Sequence, residues 1–426
     1  MKTFLILTFL LVTSFISRAV CRADLINITS YKIKLDYAGN KQFKIQAEVT
    51  LYKGSLDKRI FFLVNTNETF TNVELAENKN YLDLPYVKNT DTLWLQIPST
   101  YIGKRQLHLL FTYTLTFDSL SRGVKTMGSW YPYLFNNISR FNIIAKMPPD
   151  YMMFFPGVLL KKSFESKNIK CIWEMDKAIP RLFFVIAKTN AYTVSRSVIN
   201  GKALNFYFLT KDKDLLHRFK SESLKAFKFF NNYIGNYRYK NLTFIEVPDI
   251  SYINSQPSFI MMGSVFLDYY KKNLYDWPPH EIAHQWFGSG TFSKHNDLNS
   301  WCIFEPLAEY LRLTFTASDS GKVYMENEIK GMVDEYKSDY MGKPQDKPLI
   351  ESGSSRVTYI KGTYVMNKIA GMLGQGKWQE FLEKLNDHFQ GRFLTYSDFI
   401  KYLSKINNNA GKAANEMFTT TGLINK

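Results

Sequence analysis

The chain has 426 residues, of which 45% are hydrophobic and 16% aromatic, so it can build two substantial cores and is not intrinsically disordered. Its net charge of +16 is spread along the sequence, which argues against a nucleic-acid groove and for a solvated surface or a loose attraction to an anionic envelope. Three cysteines do not make a disulfide framework, and we expect Cys171 and Cys302 to be buried thiols unless the fold brings them together as a pair.

Residues 1–23 have the pattern of a secretory signal peptide. Lys2 is followed by mostly apolar residues from 4 to 16, then by small residues, and the apolar run is too short to anchor the chain in a bilayer. Cleavage after Ala23 would remove three basic side chains and lower the net charge to +13. A buried N-terminal helix is the alternative interpretation. We expect an exported protein that is periplasmic, on the cell surface or secreted.

Cys21 raises a second possibility, the lipid-mediated attachment of the mature chain to an envelope. Arg18 and Val20 occupy positions where a lipid-attachment motif has a large apolar and a small residue, which argues against it. No later segment is long and apolar enough to cross a membrane. We therefore predict no transmembrane segment in the mature chain.

Residues 24–195 are predicted to form an all-β sandwich domain. Stretches such as "QFKIQAEVTLY" and "QLHLLFTYTLTF" are rich in β-branched and aromatic residues, and several alternate apolar with polar positions. Turn residues such as "AGNK" separate the strands. This alternation is typical of strands with one buried face.

The pattern changes to helical spacing in residues 196–426, which we predict to be a second domain. "DKDLLHRFKSESLKAFKFFNNYIG" has apolar residues at helical intervals, and after a strand at "NLTFIEVPD" a helix carries "HEIAHQWF". From Glu305 onward the sequence is mostly helical. The predicted fold class is therefore multidomain α+β, with an all-β domain followed by a mostly helical one.

The motif "HEIAHQWFG" predicts a zinc site. Residues four apart share a helix face, so His280 and His284 can direct two imidazole nitrogens at one ion. Glu281 lies beside that ion, where it can act as general base on a zinc-activated water. Two surface histidines on an amphipathic helix are the structural alternative. We predict His295 to be a loop residue.

A third protein ligand is needed, and Asp297, Glu305 and Glu309 are the downstream carboxylates within reach. Glu305 is favoured because it opens the helical pattern "EPLAEYL", in which Pro306 would stand in the first turn. Glu309, one turn later on the same face, could accept a hydrogen bond from a ligand histidine, or could be a plain surface charge.

These residues resemble the M1 family of zinc aminopeptidases, part of the gluzincin group. "HEIAHQWFG" followed by "EPLAEY" carries the resemblance, and "FNNYIGNYRYKNLTFIEVP", "SSRVTYIKGTYVMNKIAGML" and "GSWYPYLF" extend it over nearly all of the mature chain. The resemblance implies a thermolysin-like catalytic domain after the sandwich. The ending "FTTTGLINK" resembles the end of that domain, so we expect a short form without the helical C-terminal domain.

By position, the resemblance implies that His280, His284 and Glu305 bind one zinc ion and that Glu281 is the general base. Tyr359 would donate a hydrogen bond to the oxyanion, a role for which a phenol is chemically suited. Its alternative role is that of one core aromatic among 27 tyrosines. The implied substrate is a peptide or protein.

Two features depart from the family pattern. Twenty residues separate His284 from Glu305, two more than is usual, which we interpret as a longer loop. The glutamate that grips the substrate's free amine in the family is replaced in "ISYINSQPSFIMM" by Ser255 or Gln256, which are uncharged. We predict a zinc metallopeptidase with an altered demand for a free N-terminus. The competing hypothesis is a catalytically weak or inactive M1-like protein that binds peptides or has a structural role.

Overall fold

The computed structural model describes residues 26–424 except 40, 55–56, 78–79, 118–122, 274–275, 295–297 and 354. The predicted signal peptide with Cys21, and also His295 and Asp297, lie outside the described residues. The chain divides into two compact units, residues 1–191 and 192–426. The predicted limits of the mature domains, 24–195 and 196–426, remain predictions.

Strands dominate the described part of the first unit. They are β1 (Ile26–Gly39), β2 (Gln42–Lys53), β3 (Arg59–Leu63), β4 (Glu68–Glu77), β5 (Asn80–Asp83), β6 (Tyr86–Lys88), β7 (Thr92–Gln96), β8 (Gln106–Thr116), β9 (Val124–Met127), β10 (Arg140–Met147), β11 (Tyr151–Phe154), β12 (Val158–Glu165), β13 (Asn168–Glu174) and β14 (Phe184–Lys188), with a 3-10 turn at Ser99–Tyr101.

The largest sheet of this unit has the strand order β12-β13-β10-β1-β2-β8-β4-β5, and two three-stranded sheets have the orders β11-β14-β9 and β3-β7-β6. Alternate residues of β2 are buried, among them Phe43, Ile45 and Val49, while Lys44 and Gln46 between them are exposed. The period of two in the sequence therefore places one face of the sheet in the core.

Glu68, the first residue of β4, is a buried carboxyl in this core. One of its oxygens, Oε2, accepts a hydrogen bond of 3.0 Å from the Asn65 N–H, whereas Oε1 has no partner among the described residues. Burial raises the pKa of Glu68 to about 8, against smaller opposing effects of the Asn65 N–H and the Lys88 charge. The folded protein therefore holds a proton here that the unfolded chain has lost at neutral pH.

We expect Glu68→Gln to remove a pH dependence of stability. Between the ordinary pKa of about 4.5 and the folded pKa of about 8, the folded state binds more protons than the unfolded state. The free energy of unfolding therefore falls as pH rises through that window, by at most about 1.4 kcal/mol per pH unit. Urea unfolding should show that the free energy of unfolding of the Gln variant, relative to the wild type, is higher at pH 8 than at pH 5. A difference between the two proteins that is the same at both pH values would contradict the prediction.

The second unit begins with a five-stranded sheet and continues with helices. Its strands are β15 (Thr193–Ile199), β16 (Lys202–Phe208), β17 (Asn241–Val247), β18 (Ile253–Gln256), β19 (Phe259–Gly263), β20 (Phe287–Gly288) and β21 (Thr291–Phe292). Its α-helices are α1 (Lys213–Tyr233), α2 (Ser264–Lys271), α3 (Pro278–Ala283), α4 (Leu298–Ser320), α5 (Lys322–Asp339), α6 (Arg356–Leu373), α7 (Gln375–Phe389), α8 (Tyr396–Ile406) and α9 (Asn408–Thr419), with a 3-10 turn at Leu349–Glu351.

The five-stranded sheet has the order β15-β16-β17-β19-β18, so that β18 forms an edge beside the buried strand β19. Helix α1 follows the sheet's second strand and begins at the Asp212 cap, whose carboxylate accepts a hydrogen bond from the Leu215 N–H. Its apolar face, which includes Phe219, Phe227 and Phe230, is buried. The sheet edge and the helices that follow it position the site described below.

The α+β prediction is confirmed, because a β-rich region from 26 to 208 precedes a helical region from 213 to 419. Cys171 and Cys302 are buried thiols that are not joined to each other by a disulfide bond, as we expect from the sequence. Within the described residues, no helix combines the length and the apolar character needed to cross a membrane.

Candidate metal centre

The two motif histidines lie one helical turn apart. Pro278 and Pro279 begin helix α3, where the missing N–H groups cost nothing because first-turn donors have no intrahelical partner. We predicted that this helix continues through Phe287, and this was wrong, because it ends at Ala283. His284 caps it with helical dihedrals, so the spacing survives, and the Nε2 atoms of His280 and His284 are 3.1 Å apart.

Each imidazole is oriented by a hydrogen bond from its outer nitrogen. His280 Nδ1 lies 2.9 Å from Glu309 Oε2, and His284 Nδ1 lies 3.1 Å from the carbonyl oxygen of Phe287. Both partners are acceptors, so each Nδ1 carries a proton, and in the neutral imidazole the Nε2 lone pair is the one available to an ion. The chain can turn back under His284 because Gly288 has φ +125° and a Cβ there would lie 3.1 Å from His284 Nδ1.

Glu305 supplies the third donor from helix α4. Its Oε2 atom lies 3.3 Å from His280 Nε2 and 3.5 Å from His284 Nε2, and the three donors fall within 4.8 Å of one another. We predicted that Glu305 opens its helix, and this was wrong. Helix α4 begins at Leu298, so Glu305 lies two turns in and Pro306 is inside the helix. The interior position holds the carboxylate on a rigid element rather than at a frayed end.

Glu309 lies one turn beyond Glu305 and is buried, with 3% of its surface exposed. Besides His280 it contacts Arg312, whose Nη2 donates to Oε1 at 2.8 Å and whose Nε donates to Oε2 at 3.2 Å. The prediction that Glu309 accepts a hydrogen bond from a motif histidine is therefore confirmed, and the surface-charge alternative is wrong. Sequence reasoning missed Arg312, although the spacing 305, 309 and 312 already places three charges on one helix face.

The electrostatics of the cluster favour a positive charge between the donors. Burial alone would lower the pKa of His280, but the hydrogen bonds to Glu305 and Glu309 outweigh it and raise that pKa to about 10. Burial likewise opposes protonation of His284, and the Glu305 charge raises its pKa. Burial would raise the pKa of Glu305, but the His284 and His280 charges hold it well below its usual range. A divalent cation bound between the donors would be stabilised by the same carboxylate charges.

The donor set fits zinc. Two imidazole Nε2 atoms and one carboxylate oxygen converge, and two imidazoles plus a carboxylate with one open position is a known catalytic zinc set. The buried Nδ1 contacts fix the ring orientations before any ion arrives. His280, His284 and Glu305 are therefore the residues that would hold the ion.

A cavity of about 510 Å³ opens beside these donors. Its lining combines the acidic and imidazole groups of the cluster with aromatic side chains from several elements: Tyr252, Ile253, Phe266, His280, Glu281, Trp301, Glu305, Ser355, Arg356 and Tyr359. Burial raises the pKa of Glu281, partly opposed by the His280 and His284 charges. A carboxylate with a raised pKa at the cavity wall is suited to take up a proton.

Tyr359 reaches the cavity from helix α6. Its ring stacks near that of His280, with centroids 5.9 Å apart and 26° between the planes. Helix α6 begins at the Ser355 cap, and Tyr359 stands in its first turns. One turn further on, Gly362 lets α6 approach α4 closely, because a Cβ there would lie 2.2 Å from Pro306 Cγ. The close approach of the two helices thus brings Tyr359 beside the cluster.

We expect Gly362→Ala to force α6 away from α4. The added methyl group cannot share the space of the Pro306 ring, and overpacking of this kind costs about 1–3 kcal/mol. Tyr359 would move with its helix, away from the His280 ring that it now stacks near. Chemical denaturation measures the loss of stability.

Gly371→Ala is the matched control, because it lies on the same helix and a Cβ added there would have no other atom within 4 Å. That variant should be more stable than the wild type by about 0.5–1 kcal/mol. If both variants gained stability, the contact between Gly362 and Pro306 would not limit the helix packing.

Ser255 and Gln256, the predicted substrate-binding residues, lie at the end of the edge strand β18. The Ser255 hydroxyl donates to the Glu281 carbonyl oxygen at 3.1 Å and accepts from Gln285 Nε2 at 2.8 Å. Gln256 Nε2 donates to Asn254 Oδ1. Neither residue is among the described lining residues of the cavity, whereas Ile253 of the same strand is.

Gln285, which sequence reasoning missed, ties this strand to the metal motif. Its Nε2 also donates to the Gln256 carbonyl oxygen at 3.0 Å, and its Oε1 accepts from the Ser258 N–H at 3.0 Å and the Tyr237 hydroxyl at 3.2 Å. The one sequence signal for Gln285 is an amide side chain inside the motif, between His284 and Trp286. In the structure this side chain is buried. The bonds fix the strand edge relative to helix α3.

Comparisons with known proteins point to one family. Residues 220–420 match the Peptidase family M1 domain. No curated protein matches the chain. Among solved structures, a variant M1 zinc metallopeptidase of Deinococcus radiodurans bound to a Tyr-Ser-Ala substrate is similar, with 11% identity, a TM-score of 0.75, and coverage of 94% of this chain and 95% of that chain.

Two further structures agree. The M1 zinc metallopeptidase of Deinococcus radiodurans without the substitution has 12% identity and a TM-score of 0.74 over 94% of this chain and 95% of that one. A two-domain M1 zinc metallopeptidase variant bound to L-tryptophan has 11% identity and a TM-score of 0.74 over 94% and 96%. At these identities the likeness shows the fold. With the domain match it leads to one conclusion: the chain, which divides into two compact units, carries a Peptidase family M1 domain in residues 220–420, and it is a hydrolase.

Proposed function

We propose that this protein is an exported, zinc-dependent metallopeptidase that hydrolyses peptide bonds without the amine-anchoring glutamate usual in M1 aminopeptidases. The observation that carries the proposal is the convergence of His280, His284 and Glu305 within 4.8 Å, at a cavity whose wall includes Glu281. One zinc ion is the proposed cofactor, and peptides or proteins are the proposed substrates. Export rests on the signal-peptide pattern of residues 1–23. The proposal includes an association with the envelope, either a loose one through the positive charge of the chain or a lipid-mediated one through Cys21.

Zinc, when bound, acidifies a water molecule and polarises the scissile carbonyl group. Glu281 is the proposed general base: its carboxylate takes a proton from the attacking water and then gives it to the leaving amine. Tyr359 is the proposed donor of a hydrogen bond to the oxygen on which negative charge develops. Glu309, held by Arg312, keeps the His280 ring oriented through the bond to Nδ1. Each role belongs to a side chain at or next to the cavity.

The altered amine demand rests on the residues at the edge strand. Ser255 and Gln256 carry no charge, so an ammonium group would lack the charge-assisted hydrogen bond that a carboxylate offers. The hydroxyl of Ser255 is also already bonded to the Glu281 carbonyl and to Gln285. We propose that Gln256 and Ser255 contact the substrate weakly or only through the strand's backbone.

Cleavage of matched peptides with free and N-acetylated termini tests this function, using the zinc-loaded protein with Glu281→Gln as control. Cleavage of both peptides, lost in the control, would support hydrolysis without an amine anchor. Cleavage of the free peptide alone would mean that an amine site works without the glutamate. Cleavage of neither, with zinc bound, would favour a peptide-binding protein with little or no catalysis.

A further inference from the structure

We propose that Arg356 binds the C-terminal carboxylate of a short peptide substrate, so that this peptidase selects peptides with a free C-terminus. The inference rests on the proposed function and assigns the substrate class of the same cavity. Three features support it: the charge of the lining, the geometry of the arginine and the size of the space.

The cavity lining contains a cation that can bind a substrate carboxylate. It contains no carboxylate, among the described residues, that is left over to bind a substrate ammonium group. Among the described lining residues, Arg356 is the one permanently charged cation. The lining carboxylates are Glu281 and Glu305, and both have other tasks in the proposed reaction, as base and as metal ligand. A substrate's anionic end is therefore matched at this wall, and its amine end is not.

Arg356 is held so that part of its guanidinium stays available. Its Nε donates to Glu335 Oε1 at 2.8 Å and its Nη2 donates to Glu335 Oε2 at 2.6 Å, a two-point bond to helix α5. Nη1 makes no hydrogen bond with any described residue. The fixed fork orients the charge with less loss of side-chain entropy on binding than a mobile lysine would suffer. Glu335 is 31% exposed in its side chain, so solvent screens the pair.

The cavity suits a short peptide. Its volume of about 510 Å³ falls within the range of pockets that enclose small ligands, roughly 300–1,000 Å³. Arg356 and Tyr359 begin the same helix and both line the space, so a carboxylate on the guanidinium places the rest of a short peptide along the wall that leads to the tyrosine. Trp301 and Phe266 supply apolar surface for its side chains.

The first experiment compares one tripeptide as the free acid, as the C-terminal amide, and as the amide with glutamate as its last residue. We expect the zinc-loaded protein to cleave the free acid with a kcat/KM about 10- to 100-fold above that of the amide, the effect of one charge-assisted hydrogen bond. If the amide that ends in glutamate is cleaved as fast as the free acid, the site accepts the carboxylate of an acidic side chain as well as that of the C-terminus. Equal rates for all three would overturn the proposal.

Variants then separate recognition from simple helix packing. Arg356→Gln should abolish the preference for the acid over the amide, measured as the ratio of their kcat/KM values, and Arg356→Lys should keep part of that preference. Glu335→Gln should keep the preference, because the guanidinium remains, whereas a purely structural ion pair predicts the same effect for both partners. Arg392→Gln, an exposed arginine of the same unit, controls for the lost charge. A preference that survives in Arg356→Gln would also overturn the proposal.

A binding measurement keeps this test apart from the test of the proposed function. If the wild type cleaves no peptide, the proposed function fails, and calorimetry on the zinc-loaded Glu281→Gln protein still compares the affinities of the acid and the amide. A tenfold or greater preference that Arg356→Gln removes would support the carboxylate site. Equal affinities would reject it.

Discussion

Glu281→Gln is expected to lower kcat for peptide hydrolysis by about 10²- to 10⁴-fold while leaving zinc binding intact. The amide has the size of the carboxylate but cannot accept the proton of the attacking water. Zinc content should stay at the wild-type level because the converging donors are His280, His284 and Glu305. Initial rates with saturating peptide and metal analysis of the same sample measure the two quantities together.

His284→Ala is the matched comparison, since it removes a donor atom and should lower both zinc content and activity. Glu281→Gln protein that turned over peptide at the wild-type rate would exclude Glu281 as the base. Loss of zinc in that variant would instead mean that Glu281 takes part in metal binding.

Arg312→Met is expected to lower the free energy of unfolding by about 3–5 kcal/mol. His280 and Arg312 together hold the pKa of the Glu309 carboxyl well below its usual range. The substitution would leave this buried carboxylate without the Arg312 cation. The carboxylate would also become a less well oriented partner for His280 Nδ1, so zinc affinity should fall by about 10- to 100-fold. Denaturant unfolding and competition with a chelator measure these effects.

Two controls show whether the loss comes from an unpaired buried charge. The double variant Glu309→Gln and Arg312→Met removes both charges and leaves a neutral acceptor for His280, so it should recover much of the stability. Lys330→Met breaks an exposed pair with Asp334 and should change stability by no more than about 0.5 kcal/mol. An Arg312→Met variant as stable as Lys330→Met would contradict the structural assignment.

Much of the site follows from local sequence. The four-residue interval between His280 and His284 requires only one helical turn, and this turn forms even though helix α3 ends at Ala283. The period-two pattern of β2 and the helical pattern of residues 213–233 likewise predict the β-rich and helical regions, since each reflects burial of one face. These features depend on residues that are close in sequence.

The position of Glu305 within its helix could not be predicted in the same way. Proline is usually tolerated in the first turn, so the sequence favoured a helix beginning at Glu305. Helix α4 instead begins at Leu298 and includes Pro306, and Gly362 of α6 provides the space against the proline ring. Tertiary packing therefore overrides the local preference at this position.

The sequence by itself determined the two-region α+β organisation, the pair of imidazoles, Glu281 as the candidate base beside them and Glu305 as the candidate third donor. Only the tertiary structure decided that Glu309 is buried behind His280, that Gln285 binds the edge strand, and that Arg356 lines the cavity with Nη1 available. The physical reason is separation along the chain. A helical turn brings together residues three or four apart, whereas contacts such as those of Arg356 with Glu335 or of Gln285 with Ser255 depend on how whole elements pack.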